Sequence, residues 1–199
     1  MKNVKYLALA VLILTATANA ANESEWQLDA AHSSVAFSVK HLGISKVTGS
    51  FKEFSGKILA DDATGKITAI EGEVKVKSVN TGIDARDNHL KAADFFDAEK
   101  FPTMKLKTTS IVIKGSEITA VADLTIKNTT KSVTFKGEFL GARAVDMGQG
   151  KTMRAGYSVS TIINRQDFGL KFNKLAEGVS VVGDEVKITL EAEIFKAIK

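Results

Sequence analysis

Ser34-Val35-Ala36-Phe37-Ser38-Val39-Lys40-His41 puts Val35, Phe37, Val39 and His41 on one face and Ser34, Ala36, Ser38 and Lys40 on the other. A repeat of two is that of a strand, whose side chains point alternately to its two faces. One face is apolar and the other wet, so this strand covers a core on one side only. The same alternation recurs along the chain. It appears in residues 73–77, in Met104, Leu106 and Thr108 against Lys105 and Lys107, and in Ile118, Ala120, Ala122, Leu124 and Ile126. It continues in Val133, Phe135, Gly137 and Phe139, in Tyr157, Val159, Thr161 and Ile163, and in Val186, Ile188, Leu190, Ala192 and Ile194. With residues 46–60, these segments amount to about eight strands.

Short turn signals separate the strands: residues 61–65, Lys114-Gly115-Ser116, Lys127-Asn128 and Gly148-Gln149-Gly150. Connections this short join antiparallel neighbours. An all-β, antiparallel, eight-stranded barrel is therefore expected, a single sheet closed on itself. The exception is residues 80–102. Residues 87–96 have helical spacing, with Leu90 and Ala93 on one side, Asp84 or Asp87 as N-cap, and Pro102 ending the segment. A short helix there would cap the barrel mouth, and residues 170–184 would shape the same rim.

An eight-stranded barrel is either filled by its own side chains or able to hold one small ligand. The inward positions mix small residues (Val35, Val39, Ala120, Ala122, Gly137) with large ones (Phe37, Phe51, Phe135, Tyr157). That mixture leaves both a filled core and an elongated apolar cavity open. If a cavity exists, burying about 400 Å² of hydrocarbon contributes roughly 10 kcal/mol before immobilisation costs.

Residues 1–20 read as an export signal: Lys2 and Lys5, an apolar run over residues 6–15, then Ala18-Asn19-Ala20 before a cut. The domain is expected over residues 21–199, in the periplasm, with secretion as the other exported fate. That stretch carries 25 basic and 23 acidic residues, a net charge of +2, with the signs interleaved. No basic block points to nucleic acid, and no later apolar stretch is long enough for an integral membrane segment. Cysteine is absent, which excludes disulfides, thiolate ligands and thiol catalysis.

The three histidines, His32, His41 and His89, lie far apart and lack metal-ligand spacing, so no metal and no cofactor is expected. His32 is expected to bond Asp29 or Ser34 locally. Asp29, His32 and Ser33 are the residue types of a hydrolase triad, but they are crowded together without a nucleophile elbow. Arg86, Asp87 and His89 allow two roles: Asp87 capping the helix with Arg86 paired to a carboxylate, or Arg86 or His89 meeting a ligand's polar head. Arg165 and Asp167 allow the same choice.

Four blocks resemble the YceI-like family of periplasmic polyisoprenoid-binding proteins. They are residues 29–43, residues 47–56 with Val47-Thr48-Gly49-Ser50-Phe51, residues 81–102 with Asp84-Ala85-Arg86-Asp87-Asn88-His89, and residues 164–169. They occur in the family's order across nearly the whole of residues 21–199. The resemblance implies a lipocalin-like barrel with a helical cap, a polyisoprenoid or other long acyl chain inside, and no established reaction.

The expected function is a periplasmic carrier or reservoir for a long amphiphilic lipid, and not an enzyme. Phe37, Val39, Phe51, Val76, Leu106, Phe135 and Tyr157 are expected to line the tunnel. Phe95 would touch ligand from the cap, and His41, Arg86 and His89 would face the polar end. No catalytic residue is assigned. The rivals are an enzyme acting on a lipid or quinone, and a stress-related interaction protein with a filled barrel. A homodimer through the rim is a weaker expectation.

Overall fold

The computed structural model describes residues 22–148 and 150–198. The export-signal reading of residues 1–20 lies outside them. The strands in chain order are β1 (Glu23–Leu28), β2 (Ser34–His41), β3 (Ser45–Phe51), β4 (Phe54–Asp61), β5 (Ile67–Lys75), β6 (Val79–Asn80) and β7 (Thr103–Lys114). There follow β8 (Glu117–Ile126), β9 (Thr129–Asp146), β10 (Lys151–Asn164), β11 (Leu175–Ala176), β12 (Val179–Ser180) and β13 (Val182–Ala197). Helix α1 spans Asp84–Lys91.

These strands make eight walls. β1 with β2, β3 with β4, and β5 with β6 each form one long wall broken once; β7, β8, β9, β10 and β13 are the other five. Every pairing is antiparallel. The ring closes because β13 pairs with β10 on one side and with both β2 and β1 on the other, through Ile188↔Phe37 and Ile194↔Leu28. Closure removes the free edges that an open sheet would expose. The β11–β12 hairpin stands apart from the barrel sheet, in the rim.

The breaks have local causes. After β1, the Asp29 carboxylate accepts the Ala31 amide at 3.1 Å and starts a 3₁₀ turn over Ala30–His32. Ser33 then donates to the Asp29 carbonyl at 2.6 Å and accepts the Glu193 amide at 3.0 Å, which fastens the corner to β13. Val76–Ser78 make a second 3₁₀ turn, with Ser78 bonded to the Lys75 carbonyl. Between the pairs Trp26↔Ile58 and Val35↔Phe51, the first two walls are not laddered together, which leaves a seam in the side of the barrel.

One end of the barrel is filled. Trp26, Ile58, Ile67, Ile118, Phe135, Tyr157 and Ile194 pack with Ala60, Ala122 and Ala155. The Tyr157 hydroxyl donates to the Gly65 carbonyl there, and Trp26 donates to Asp62 at 3.2 Å. Gly137 allows the walls to come this close: a Cβ on it would collide with the Ser158 carbonyl oxygen. The other end carries α1 and the loop of residues 169–181, anchored by a second cluster that includes Phe51, Val76, Phe168 and Leu170.

The helix differs from its expectation. It covers Asp84–Lys91 rather than residues 87–96, and Pro102 lies outside it, just before β7. Ile83 holds the N-cap position without a side-chain cap, so neither Asp84 nor Asp87 caps it. Asp87 is buried and reaches back to accept the Thr81 amide at 2.8 Å and the Thr81 hydroxyl at 2.5 Å. The run Glu73 to Lys77 is likewise not one strand, since β5 ends at Lys75 and the chain turns.

Candidate ligand-binding site

Two adjoining cavities occupy the open half of the barrel. The inner one, of about 240 Å³, reaches from Ile58 and Phe135 at its floor to Leu170 and Val182 beneath the rim. It also reaches the unladdered seam, where Ser33, Ser34, Ser55 and Gly56 border it. The outer one, of about 230 Å³, lies under α1 and residues 172–182. Phe37, Val39, Leu90, Phe95 and Val182 border both. Together they make about 470 Å³, within the ~300–1,000 Å³ typical of sites for small ligands.

The structure places the expected lining residues as follows. Phe37, Val39, Phe51, Leu106 and Phe135 line the inner cavity, and Phe95 borders both. Phe37 lies across Gly49, whose Cβ, were there one, would be 2.5 Å from the ring. That ring continues to Phe51 at 5.8 Å and, through it, to Phe96 at 5.9 Å, an aromatic wall under the cap. Val76 and Tyr157 line neither cavity. Val76 sits in the 3₁₀ turn and packs with Val79, Ala98 and Met104, because β5 stops one residue before it. Tyr157 falls in the filled end, since its place along β10 is opposite Phe139 and Ala192, far below the mouth. Burial raises its phenol well above the ordinary tyrosine range.

His41, Arg86 and His89 come together at the outer cavity, although they are widely separated in the chain. His41 Nδ1 lies 2.9 Å from the Val181 carbonyl. A carbonyl can only accept, so Nδ1 carries hydrogen, and in the neutral ring Nε2 is left as an acceptor. Arg86 spends Nε on the Thr81 hydroxyl at 2.8 Å and Nη2 on the Thr81 carbonyl at 3.0 Å. Its expected carboxylate partner is replaced by Thr81, which passes the bond on to Asp87. Nη1 of Arg86 has no protein partner among the described residues. His89 is held by Asp94 at 2.6 Å and meets Phe95 and Phe172 edge-on at 4.9 and 5.2 Å. Phe95 and Phe172 stack on each other at 4.6 Å.

Phe172 was not singled out from the sequence. The available signal was a lone aromatic in the irregular stretch assigned to the rim. Met104, Leu124, Ile126 and Ile163, which the alternating pattern places on inward faces without marking them as ligand-lining, also line the inner cavity.

Arg165 and Asp167 are architectural. Arg165 is buried and donates to the Leu170, Val182 and Gly183 carbonyls and to Asp184, which fixes the rim loop; Asp167 pairs with Lys131 at 3.1 Å. The Asp29 group is a corner brace. Its carboxyl is lowered to about 2, first by the bond from Arg154 at 2.8 Å and next by His32 at 3.0 Å. Ser33 donates to a carbonyl rather than to His32, so no nucleophile–base pair forms. Asp29, His32 and Glu193 present ligand atoms within 4.8 Å of one another, but the Arg154 guanidinium already bonds both carboxylates.

A closed antiparallel barrel with one end filled, the other hollow and apolar, and a short helix across the mouth defines a lipocalin-like barrel. Residues 26–194 match the model of the YceI-like domain, and the chain belongs to that family. A UPF0312 protein of Staphylococcus aureus is 38% identical over 174 residues, covering 85% of this chain and 96% of that one. The Campylobacter jejuni YceI protein is similar in structure, with a TM-score of 0.66 and 31% identity over 80% of this chain and 90% of that one. A polyisoprenoid-binding domain from Saccharophagus degradans shares the fold at a TM-score of 0.61 and 15% identity, covering 87% and 98%.

Proposed function

We propose that this protein is an exported binding and carrier protein for a long apolar lipid, polyisoprenoid-like or another long-chain amphiphile, and that it performs no chemistry on it. The tail would lie in the inner cavity and the polar end in the outer one. Carrying this reading is the sequence of environments along the barrel: filled floor, apolar hollow, then a mouth with polar groups. An apolar chain in the hollow needs no polar contact for micromolar binding. At the mouth, Arg86 Nη1 offers a donor and His41 Nε2 an acceptor, the pair suited to a hydroxyl, carbonyl or phosphate oxygen head. Family membership supports the reading, as does the likeness in fold to the Saccharophagus degradans polyisoprenoid-binding domain.

Export to the periplasm rests on residues 1–20, and among the described residues no helix is long and apolar enough to cross a membrane. The test is native mass spectrometry on protein purified from its own host compartment. A co-purifying long-chain lipid in near-stoichiometric amount is expected. Ligand-free protein that also fails to take up a long-chain isoprenoid alcohol or fatty acid after delipidation would remove the proposal.

A further inference from the structure

The deep end of the inner cavity meets the seam in the barrel wall. Ile58 and Phe135 make the cavity floor, and the last ladder pair of β1 with β4 is Trp26↔Ile58, at that same height. The seam begins immediately above it. β1 turns away through the 3₁₀ corner at Ala30–His32, whose three residues are exposed, and pairing resumes at Val35↔Phe51. Across the gap, Phe54, Ser55 and Gly56 of β4 pair with Val74, Glu73 and Gly72 of β5 on one side. Their backbone groups on the other side have no ladder partner among the described residues. Backbone N–H and C=O groups left unpaired by protein need water, so the seam is wet on its outer side. The cavity reaches both lips of this gap, at Leu28, Ser33 and Ser34 and at Ser55 and Gly56.

Two glycines keep the inner side of the seam bare. Gly56 and Gly72 face each other across β4 and β5, and both border the cavity. They hold the inward positions between Phe54 and Ile58 and between Ile70 and Val74. Neither has a left-handed φ. A Cβ on Gly56 would come no nearer than 3.4 Å to its neighbours, and one on Gly72 no nearer than 3.8 Å, both ordinary contact distances. Glycine inside a strand costs backbone entropy, and neither backbone shape nor crowding demands it here. What the two missing side chains leave is space, beside the gap and above the floor.

The path from mouth to seam fits a long chain. β2 covers it over Ser34–His41, roughly 20 Å for eight residues at ~3.3 Å each, less the tilt of the strand. An extended hydrocarbon advances about 1.2 Å per bond, so about sixteen carbons reach from His41 to the seam. A longer chain must fold back inside the hollow or leave it.

We infer that the seam is a tail exit: a ligand whose polar end sits at His41 and Arg86 threads the hollow and passes its far end out between Ser33–Ser34 and Ser55–Gly56. This exit rests on the carrier reading and gives it a substrate class, chains longer than the hollow is deep, with no upper limit on length. Each carbon inside the hollow adds affinity, whereas carbons beyond the seam return to water and add none.

The test is binding of straight-chain alcohols, from about twelve to about twenty-four carbons, to delipidated protein. Affinity should climb by up to about fourfold per methylene to about sixteen carbons and then level off. A diazirine at the far end of the chain, with labelled sites located by peptide mass spectrometry, should mark the interior around Leu106 and Phe135 for the shorter alcohols. For the longer ones it should mark residues 30–34 and 52–57. Gly56→Val/Gly72→Val sets a β-branched cross-strand pair beside the gap, so stability in urea should hold. Its affinity for chains beyond about sixteen carbons should fall at least about tenfold, as the loss of two or more methylenes implies. Gly72→Val alone, at the roomier position, should act in the same direction and serves if the double variant does not fold. An affinity that drops past this length in the unaltered protein would overturn the exit and leave the carrier reading standing. So would end-labelling that stays inside the barrel at every length, or valine variants that bind the longest chains as the unaltered protein does. Failure of every alcohol to bind would overturn both.

Discussion

Leu106→Trp separates a hollow barrel from a filled one by the sign of two effects. Leu106 is partly buried, lines the inner cavity, and packs against both the filled-end cluster and the rim cluster. In a filled interior, an indole in place of leucine is overpacking and costs about 1–3 kcal/mol of stability. Here it enters a cavity of about 240 Å³ instead. Burying its additional apolar surface, roughly 40 Å² at ~25 cal/mol/Å², contributes ~1 kcal/mol, so stability should hold or rise. The indole then occupies depth that a hydrocarbon tail would use. Excluding about four methylenes at ~0.8 kcal/mol each costs about 3 kcal/mol of binding, on the order of 200-fold in Kd. Urea unfolding gives the first quantity. Displacement of an apolar fluorescent probe from delipidated protein by fatty alcohols of increasing length gives the second, with the loss growing with chain length. Destabilisation by 1–3 kcal/mol together with unchanged long-chain affinity would refute the reasoning, because it would mean that the indole met protein and the tail lay elsewhere.

Tyr157→Phe removes the donor to the buried Gly65 carbonyl and should lower unfolding free energy by about 1–3 kcal/mol, with ligand affinity unchanged because Tyr157 borders neither cavity. Gly137→Ala forces a Cβ into the Ser158 carbonyl where β9 and β10 pair, and should lower the thermal midpoint far more than Gly72→Ala in β5, where a Cβ would come no nearer than 3.8 Å to the Ser55 carbonyl. Because Asp29 has its carboxyl lowered to about 2 in the folded protein, mainly by Arg154, its stabilisation is complete above pH 4 and is lost as pH falls from about 4 to 2. Asp29→Asn should flatten that part of the pH–stability curve, followed by circular dichroism.

The fold was largely legible because the signals for it are local. Alternation in Val35, Phe37 and Val39, repeated to Ile194, together with short turns, specifies antiparallel strands with one wet face, and eight of those close. Where the reading slipped, a local rule met a tertiary demand. Glu73 to Lys77 alternates like a strand, yet Val76 turns away because the Val76 amide bonds the Pro102 carbonyl and its side chain anchors the cap. Asp87 resembles an N-cap, but its partner is Thr81, six residues back, held against Gly49 of β3.

The chain alone determined the strand count, the antiparallel order, the capped mouth and the apolar character of the interior, since each follows from side-chain period and turn chemistry along neighbouring residues. Tertiary structure alone decided which half of the barrel is hollow. Tyr157 and Phe37 occupy equivalent inward positions in their strands, but one fills the closed end and the other borders open space. Height within a barrel depends on strand register and on where walls break, and neither is encoded by period. The meeting of His41, Arg86 and His89 at one mouth was settled the same way, by closure of a sheet that brings remote segments together.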